Sequence, residues 1–171
     1  LKYKNIYIMV KVYRVLPTET NKLNEINDFI QQKKPVINAV YMPGCGHCET
    51  MIPKWIKAST NIASKYNGDV IIALVHKDSM GELKIPDGHI MGYPHIMSYV
   101  NNRENEYNGD RSEEDLIKFM IQNGGSNLKP KQNGGKKRRV HRKSRKSHKV
   151  KRTNRKRKTN KKTRKMRRKR N

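Results

Sequence analysis

The sequence predicts an α/β domain with a mixed central sheet flanked by helices, followed by a disordered basic tail, and two observations carry that expectation. Short apolar runs alternate with segments of helical period, and the series ends in a hairpin pattern and one last amphipathic segment. Charge is also divided sharply along the chain. Residues 129–171 hold 25 of the 40 Lys and Arg residues and none of the 14 acids, whereas residues 1–128 hold 15 basic and 14 acidic side chains. The first part is therefore nearly neutral, and its roughly 120 residues are enough to bury a core.

Ile6 to Val15 alternates or runs apolar as a strand, and Leu23, Ile26, Phe29 and Ile30 give one apolar face to a helix over 20–33. Val36 to Tyr41 is a β-branched run that Met42-Pro43-Gly44 breaks, as a strand entering a turn should. Met51, Trp55 and Ala58, with Ile52 and Ile56, then recur at helical spacing and predict a helix over 46–66. Val70 to Val75 is continuously apolar, which suits an interior strand. Ile96–Val100 and Glu104–Tyr107 read as a hairpin across Asn101-Asn102-Arg103. A helix over 112–122 closes the domain, with Ser112 as N-cap and Glu113, Glu114 and Asp115 in its first turn.

The chemistry concentrates at Cys45-Gly46-His47-Cys48, which holds both cysteines of the chain. Two thiols three positions apart at a helix start can cycle between dithiol and disulfide. Unpaired N–H groups and the positive end of the helix dipole favour a thiolate at Cys45, which makes it the nucleophile. Cys48, one turn further in, is the natural resolving thiol. His47 completes the candidate catalytic set.

This segment resembles the active site of the thioredoxin superfamily, and CGHC is the form typical of protein disulfide isomerase domains. Pro53 matches the family's proline within the active-site helix. Gly92-Tyr93-Pro94 matches its Gly-aromatic-cis-Pro turn, which implies that Tyr93 and Pro94 bind extended substrate. Tyr107 to Ser112, followed by Glu113, Glu114, Leu116, Ile117 and Phe119, resembles the end of an isomerase domain. The resemblance covers roughly residues 5–123. It implies a thioredoxin fold, thiol–disulfide exchange through a Cys45–Cys48 redox-active disulfide, protein disulfide or dithiol substrates, no cofactor and no metal.

Departures from the family pattern limit what carries over. Ala39 stands where the family has a buried acid that relays protons to the resolving cysteine, and Leu74 stands where a lysine approaches that acid. Losing both leaves an apolar pair and no unpaired charge. The expected consequence is a slower proton step at Cys48, served by water or a nearby histidine. Gly44 replaces the usual Trp before the first cysteine, Met91 an Arg before the Gly-Tyr-Pro turn, and His95 the Thr after it. Pro86-Asp87-Gly88 makes a turn in a stretch that is often helical. A charged His47 favours the thiolate and so the reduced form, which points to an oxidising or isomerising poise, near about −180 mV against about −270 mV for thioredoxin.

Other readings of the same residues are ordinary. The two cysteines could supply half a zinc site with two of His47, His76, His89 and His95, but no second Cys pair exists and the histidine spacings fit no finger. His76 and His95 on this view are plain structural histidines, and Tyr93 and Trp55 packing residues.

The domain is expected to span 1–123, with a flexible linker at 124–135, where Gly124-Gly125-Ser126-Asn127 and Asn133-Gly134-Gly135 flank Pro130, and a disordered Lys/Arg-rich tail at 136–171. The tail lacks aromatics and has too much like charge to collapse. Its partner must be anionic: phosphates of DNA or RNA, bound without sequence preference. The same composition serves nuclear or nucleolar targeting, and an anionic membrane surface is a weaker reading, without an amphipathic stripe. No apolar run approaches the roughly 18 residues of a membrane span. Leu1 to Val12 is interrupted by Lys2, Lys4 and Lys11 and does not read as a secretory signal, nor is there a Lys-Asp-Glu-Leu type ending. Such a domain with such a tail resembles proteins of large DNA viruses. The expectation is a monomer in cytoplasm, nucleus or virion; the rival is a nucleic-acid-binding or virion structural protein on a thioredoxin scaffold.

Overall fold

The structure is a computed structural model that describes residues 9–85 and 90–131. The elements run β1 (Lys11–Val15), α1 (Thr20–Gln31), β2 (Val36–Tyr41), α2 (Gly46–Lys65), β3 (Tyr66–Gly68), β4 (Ile71–His76), a 3-10 turn (Lys77–Glu82), β5 (His95–Val100), β6 (Arg103–Glu106), α3 (Glu113–Gly124) and β7 (Leu128–Pro130). Five strands form one mixed sheet in the order β1-β4-β2-β5-β6. β4 pairs in parallel with β1 and β2, and β5 runs antiparallel to β2 and β6. This is the thioredoxin fold expected from the sequence.

Strand alternation sorts the core into two layers. Ile37, Ala39, Tyr41, Ile72, Leu74 and Ile96 face α2 and α3, where Met51, Trp55, Ala58, Ile62, Leu116 and Met120 meet them. Val36, Val40, Ile71, Ala73, Val75, Met97 and Tyr99 face α1 through Leu23, Ile26, Phe29 and Ile30. β4 has a strand on either side and a helical layer on both faces, which is why its sequence shows no polar alternation.

Local chemistry sets the ends of the elements. The Ser112 hydroxyl accepts from the Asp115 N–H at 3.2 Å and caps α3, with three acids in the first turn. Asn101 and Asn102 both lie at positive φ, 54° and 60°, so a two-residue turn joins β5 and β6; asparagine adopts this conformation more readily than most residues.

The expected linker needs correction at its start. Gly124 belongs to α3, and Leu128–Pro130 forms β7, antiparallel to β3. Leu128 is 7% exposed and packs in the α2–α3 layer, and Lys131 donates through Nζ to the Ala63 carbonyl at 2.7 Å. Glycine is required here by crowding: a Cβ on Gly68 would lie 2.0 Å from the Asn127 carbonyl oxygen, and one on Gly124 2.2 Å from Leu128 Cδ1. Gly124, read in sequence as part of a flexible linker, is like Gly68 a close-approach position. The start of the first expected strand, the Pro86-Asp87-Gly88 turn, His89, the rest of the linker and the whole basic tail lie outside the described residues. No helix among the described residues is long and apolar enough to cross a membrane.

Candidate active site

β2 ends at Tyr41, and the chain turns through Met42-Pro43-Gly44 into α2. Gly44 sits at φ +74°, a left-handed conformation that a tryptophan would occupy only with strain, so this turn suits the glycine found there. The Met42 carbonyl accepts from the Cys45 N–H at 3.3 Å, and Cys45 then occupies the N-cap of α2. Its sulfur accepts from the Cys48 N–H at 3.3 Å, one of the donors that a helix start leaves unpaired. Both cysteines are free thiols.

Their environments differ as the expected roles require. The Cys45 thiol is pulled below its ordinary range, first by the Cys48 thiol beside it and then by the backbone N–H groups of Cys48 and His47, against a rise from burial and from the Glu49 charge. Cys48 is 0% exposed, and desolvation, then its bond to Cys45, pushes its thiol up to about 11. The sequence expectation held in direction, but the neighbouring thiol is a larger cause than the helix backbone.

A pH-resolved labelling experiment follows. Iodoacetamide at pH 7 is expected to modify Cys45 alone, with a rate that falls about tenfold per pH unit below the Cys45 pKa because only the thiolate reacts. Cys48 is expected to stay unlabelled until the pH approaches its own value of about 11. Mass spectrometry of the tryptic peptides reads both; equal labelling at pH 7 contradicts the assignment.

The structure also brings the turn before β5 to the thiols. The Tyr93–Pro94 peptide is cis, and the protonated Cys45 Sγ donates to the Tyr93 carbonyl oxygen across 3.6 Å. Tyr93 is half-buried and Pro94 buried, while Met91, two residues earlier, is 94% exposed. His47 is exposed on the first turn of α2. Ala39 and Leu74 are direct register partners on β2 and β4, 0% and 2% exposed, in the same core cluster as Cys48. The apolar replacement inferred from sequence is therefore a packed pair beneath the active-site helix.

His95 and His76 make other contacts. His95 is buried on β5 with Nδ1 3.6 Å from a Glu106 carboxylate oxygen and Nε2 4.0 Å from one of Glu104. His76 meets the Tyr41 ring edge-on at 5.4 Å and accepts at Nδ1 from the Asp78 N–H. Among the described residues, no group of three or more His, Cys, Asp or Glu side chains is placed to hold a metal ion.

Arg111 was missed as a site residue. It lies in the 107–112 loop at φ +59°, its N–H donates to the Tyr107 hydroxyl at 2.9 Å, and its charge opposes the upward shift of the Cys48 thiol. Lys54 was missed as well. With His47, Thr50, Met51, Asp110 and Arg111 it lines a cavity of about 160 Å³. The spacing 47, 50, 54 marks one helix face and could have found it. A larger hollow of about 570 Å³ is lined by Ser98, Val100, Asn101, Arg103, Asn105 and Asn123; it holds neither cysteine, and its Ser98 hydroxyl and Asn105 amide both donate to the Asn123 side-chain oxygen.

Comparison with known proteins agrees with this geometry. The thioredoxin family model matches residues 17–122. Protein disulfide-isomerase erp38 of Neurospora crassa is 33% identical over 119 residues, which are 67% of this chain and 32% of that protein. Protein disulfide-isomerase of Humicola insolens is 35% identical over 105 residues, 59% of this chain and 20% of that protein. The chain thus spans a third or less of the length of these relatives. Human ERp44 is similar in fold, with a TM-score of 0.52 at 22% identity over 66% of this chain and 33% of that one. A family match over more than half of its residues, on this fold and this pair of thiols, places the chain in the thioredoxin family.

Proposed function

We propose that the chain is a thiol–disulfide oxidoreductase of the disulfide isomerase kind, with Cys45 as nucleophile and Cys48 as resolving thiol. The observation that carries this reading is the asymmetry of the pair: a partly exposed thiol drawn toward thiolate, bonded to a buried thiol that stays protonated. The Cys45 thiolate attacks one sulfur of a substrate disulfide. The new S–S bond forms as the substrate's own breaks, and the departing sulfur takes the electron pair and a proton. Cys48, once deprotonated, attacks Cys45 Sγ and releases the second substrate thiol, leaving a Cys45–Cys48 disulfide and a substrate reduced by two electrons. The same steps in reverse donate the disulfide. Tyr93 and Pro94 position the substrate backbone, His47 supports the thiolate, and the poise is oxidising or isomerising.

The tail supports a second, compatible part of the reading. Its net charge of +23 over residues 136–171, with no acid, attracts nucleic acid phosphates and would hold the redox domain near nucleic acid, in cytoplasm, nucleus or virion. Removing residues 132–171, beyond the anchoring β7 and Lys131, is expected to leave disulfide exchange within about twofold while abolishing salt-sensitive DNA binding. Loss of exchange on truncation contradicts the enzyme reading; retained DNA binding contradicts the role of the tail.

A further inference from the structure

The cavity between α2 and the 107–112 loop has a charge pattern that the exchange chemistry alone does not need. Lys54 and Arg111 both line it, and neither makes an ion pair among the described residues. Asp110, the acid on the rim, accepts from the Ser112 N–H at 2.8 Å and keeps its negative charge, which the Lys54 charge stabilises. Met51 closes the floor, and Thr50 and His47 complete the wall, with the Thr50 hydroxyl donating to the Gly46 carbonyl and keeping its lone pairs free. Two cations against one acid leave the small recess with a net positive charge, which suits a carboxylate.

The recess also lies next to the reacting sulfurs. His47 stands between the two cysteines in sequence, and Met51 of the recess packs in the core cluster that holds Cys48. Gly44 adds no side chain to that side of the thiol.

We propose that the Lys54–Arg111 recess is a specificity site that takes the carboxylate of an Asp or Glu flanking the reactive cysteine of a protein substrate. The proposal rests on Cys45 being the nucleophile, and it adds a substrate class: disulfides with acidic neighbours. Residues 1–128 carry nearly balanced charge, so within the domain the selecting charge is that of the recess, and the Lys54 variants separate it from the charge of the tail.

The test uses the full reduced chain and two disulfide-linked peptide probes, identical except for Glu or Lys at the residues flanking the cysteine. The Glu probe is expected to react about fivefold faster than the Lys probe at low salt, an advantage that high salt removes. Lys54→Glu should bring the ratio to about one or invert it, and the milder Lys54→Gln should give an intermediate ratio. Because both variants keep the tail, any change in the ratio belongs to the recess. Equal rates for the unaltered chain, or a ratio untouched by Lys54→Glu, overturns the proposal. Glutathione disulfide alone responding to Lys54→Glu would assign the recess to that tripeptide's carboxylates and overturn the assignment to substrate side chains. No reaction with either probe would remove the exchange reading, and this inference with it, a result distinct from reaction without discrimination.

Discussion

Serine at position 45 is expected to reduce disulfide exchange by about a thousandfold or more, because a hydroxyl at the α2 N-cap is not ionised at neutral pH and cannot form the mixed disulfide. Serine at position 48 is expected to do something different. Cys48 is 0% exposed, so substrate cannot reach it, and its loss leaves the first attack intact. The mixed disulfide on Cys45 should then accumulate, visible by mass under non-reducing conditions. The buried thiol also supplies the largest effect lowering the Cys45 pKa, so Cys48→Ala, which removes the donor that a serine hydroxyl would keep, should need a higher pH for its first step. Adduct formation that survives Cys45→Ser and disappears with Cys48→Ser contradicts the assigned roles.

Glutamate at position 39 is the second large effect, and it acts on stability and chemistry in opposite senses. Ala39 packs against Leu74 across the β2–β4 ladder, in the core cluster that holds Cys48 and Trp55. A carboxyl placed there loses water without gaining a cation, so its pKa rises above the unfolded value of about 4.3. Ionisation of such a group destabilises the fold increasingly as pH climbs past that unfolded value, and this part of the loss disappears below it. The expected deficit is about 3 kcal/mol larger at pH 8 than at pH 4, where only the cost of fitting the larger neutral side chain into the buried site remains, measured by denaturant unfolding. In the fraction that is folded, the same carboxyl can take the Cys48 proton, and resolution of the mixed disulfide should accelerate about tenfold or more. An unchanged resolution rate would show that the apolar Ala39–Leu74 pair does not limit proton transfer.

The parts of the molecule that follow from nearest-neighbour chemistry were readable in the sequence. The β-branched run at 36–41, the turn with Gly44 and the helical spacing of Met51, Trp55 and Ala58 place Cys45 at a helix start without further information. Ser112 with its three acids announces α3, and the continuous apolar run before His76 announces an interior strand. What was not readable depends on contacts distant in sequence. β3 and β7 are three residues each, Tyr66-Asn67-Gly68 and Leu128-Lys129-Pro130, and neither has a strand pattern; they pair because α2 and α3 deliver their ends side by side. The pairing turns apparent linker into domain. Arg111 shows the same limit: nothing next to it in sequence says that it acts on Cys48, and only the loop geometry set by Tyr107 brings the charge to the thiol.

The replacement of the family's acid and lysine by Ala39 and Leu74 changes how the site works without dismantling it. The thiol pair keeps its asymmetry through the bond between the two thiols, the backbone N–H groups at the helix start and the burial of Cys48, none of which needs the missing carboxylate. The step left without a dedicated group is deprotonation of Cys48, which makes resolution the expected slow step and a long-lived mixed disulfide the expected resting intermediate.

The central claim is that Cys45 and Cys48 form one reversible two-electron couple, and its most direct measurement is the reduction potential of the full chain equilibrated against glutathione buffers, with free thiols trapped by acid and alkylation. The account predicts a single reversible transition nearer to about −180 mV than to about −270 mV. A pair that shows no reversible transition, or that stays reduced across the whole range, contradicts it.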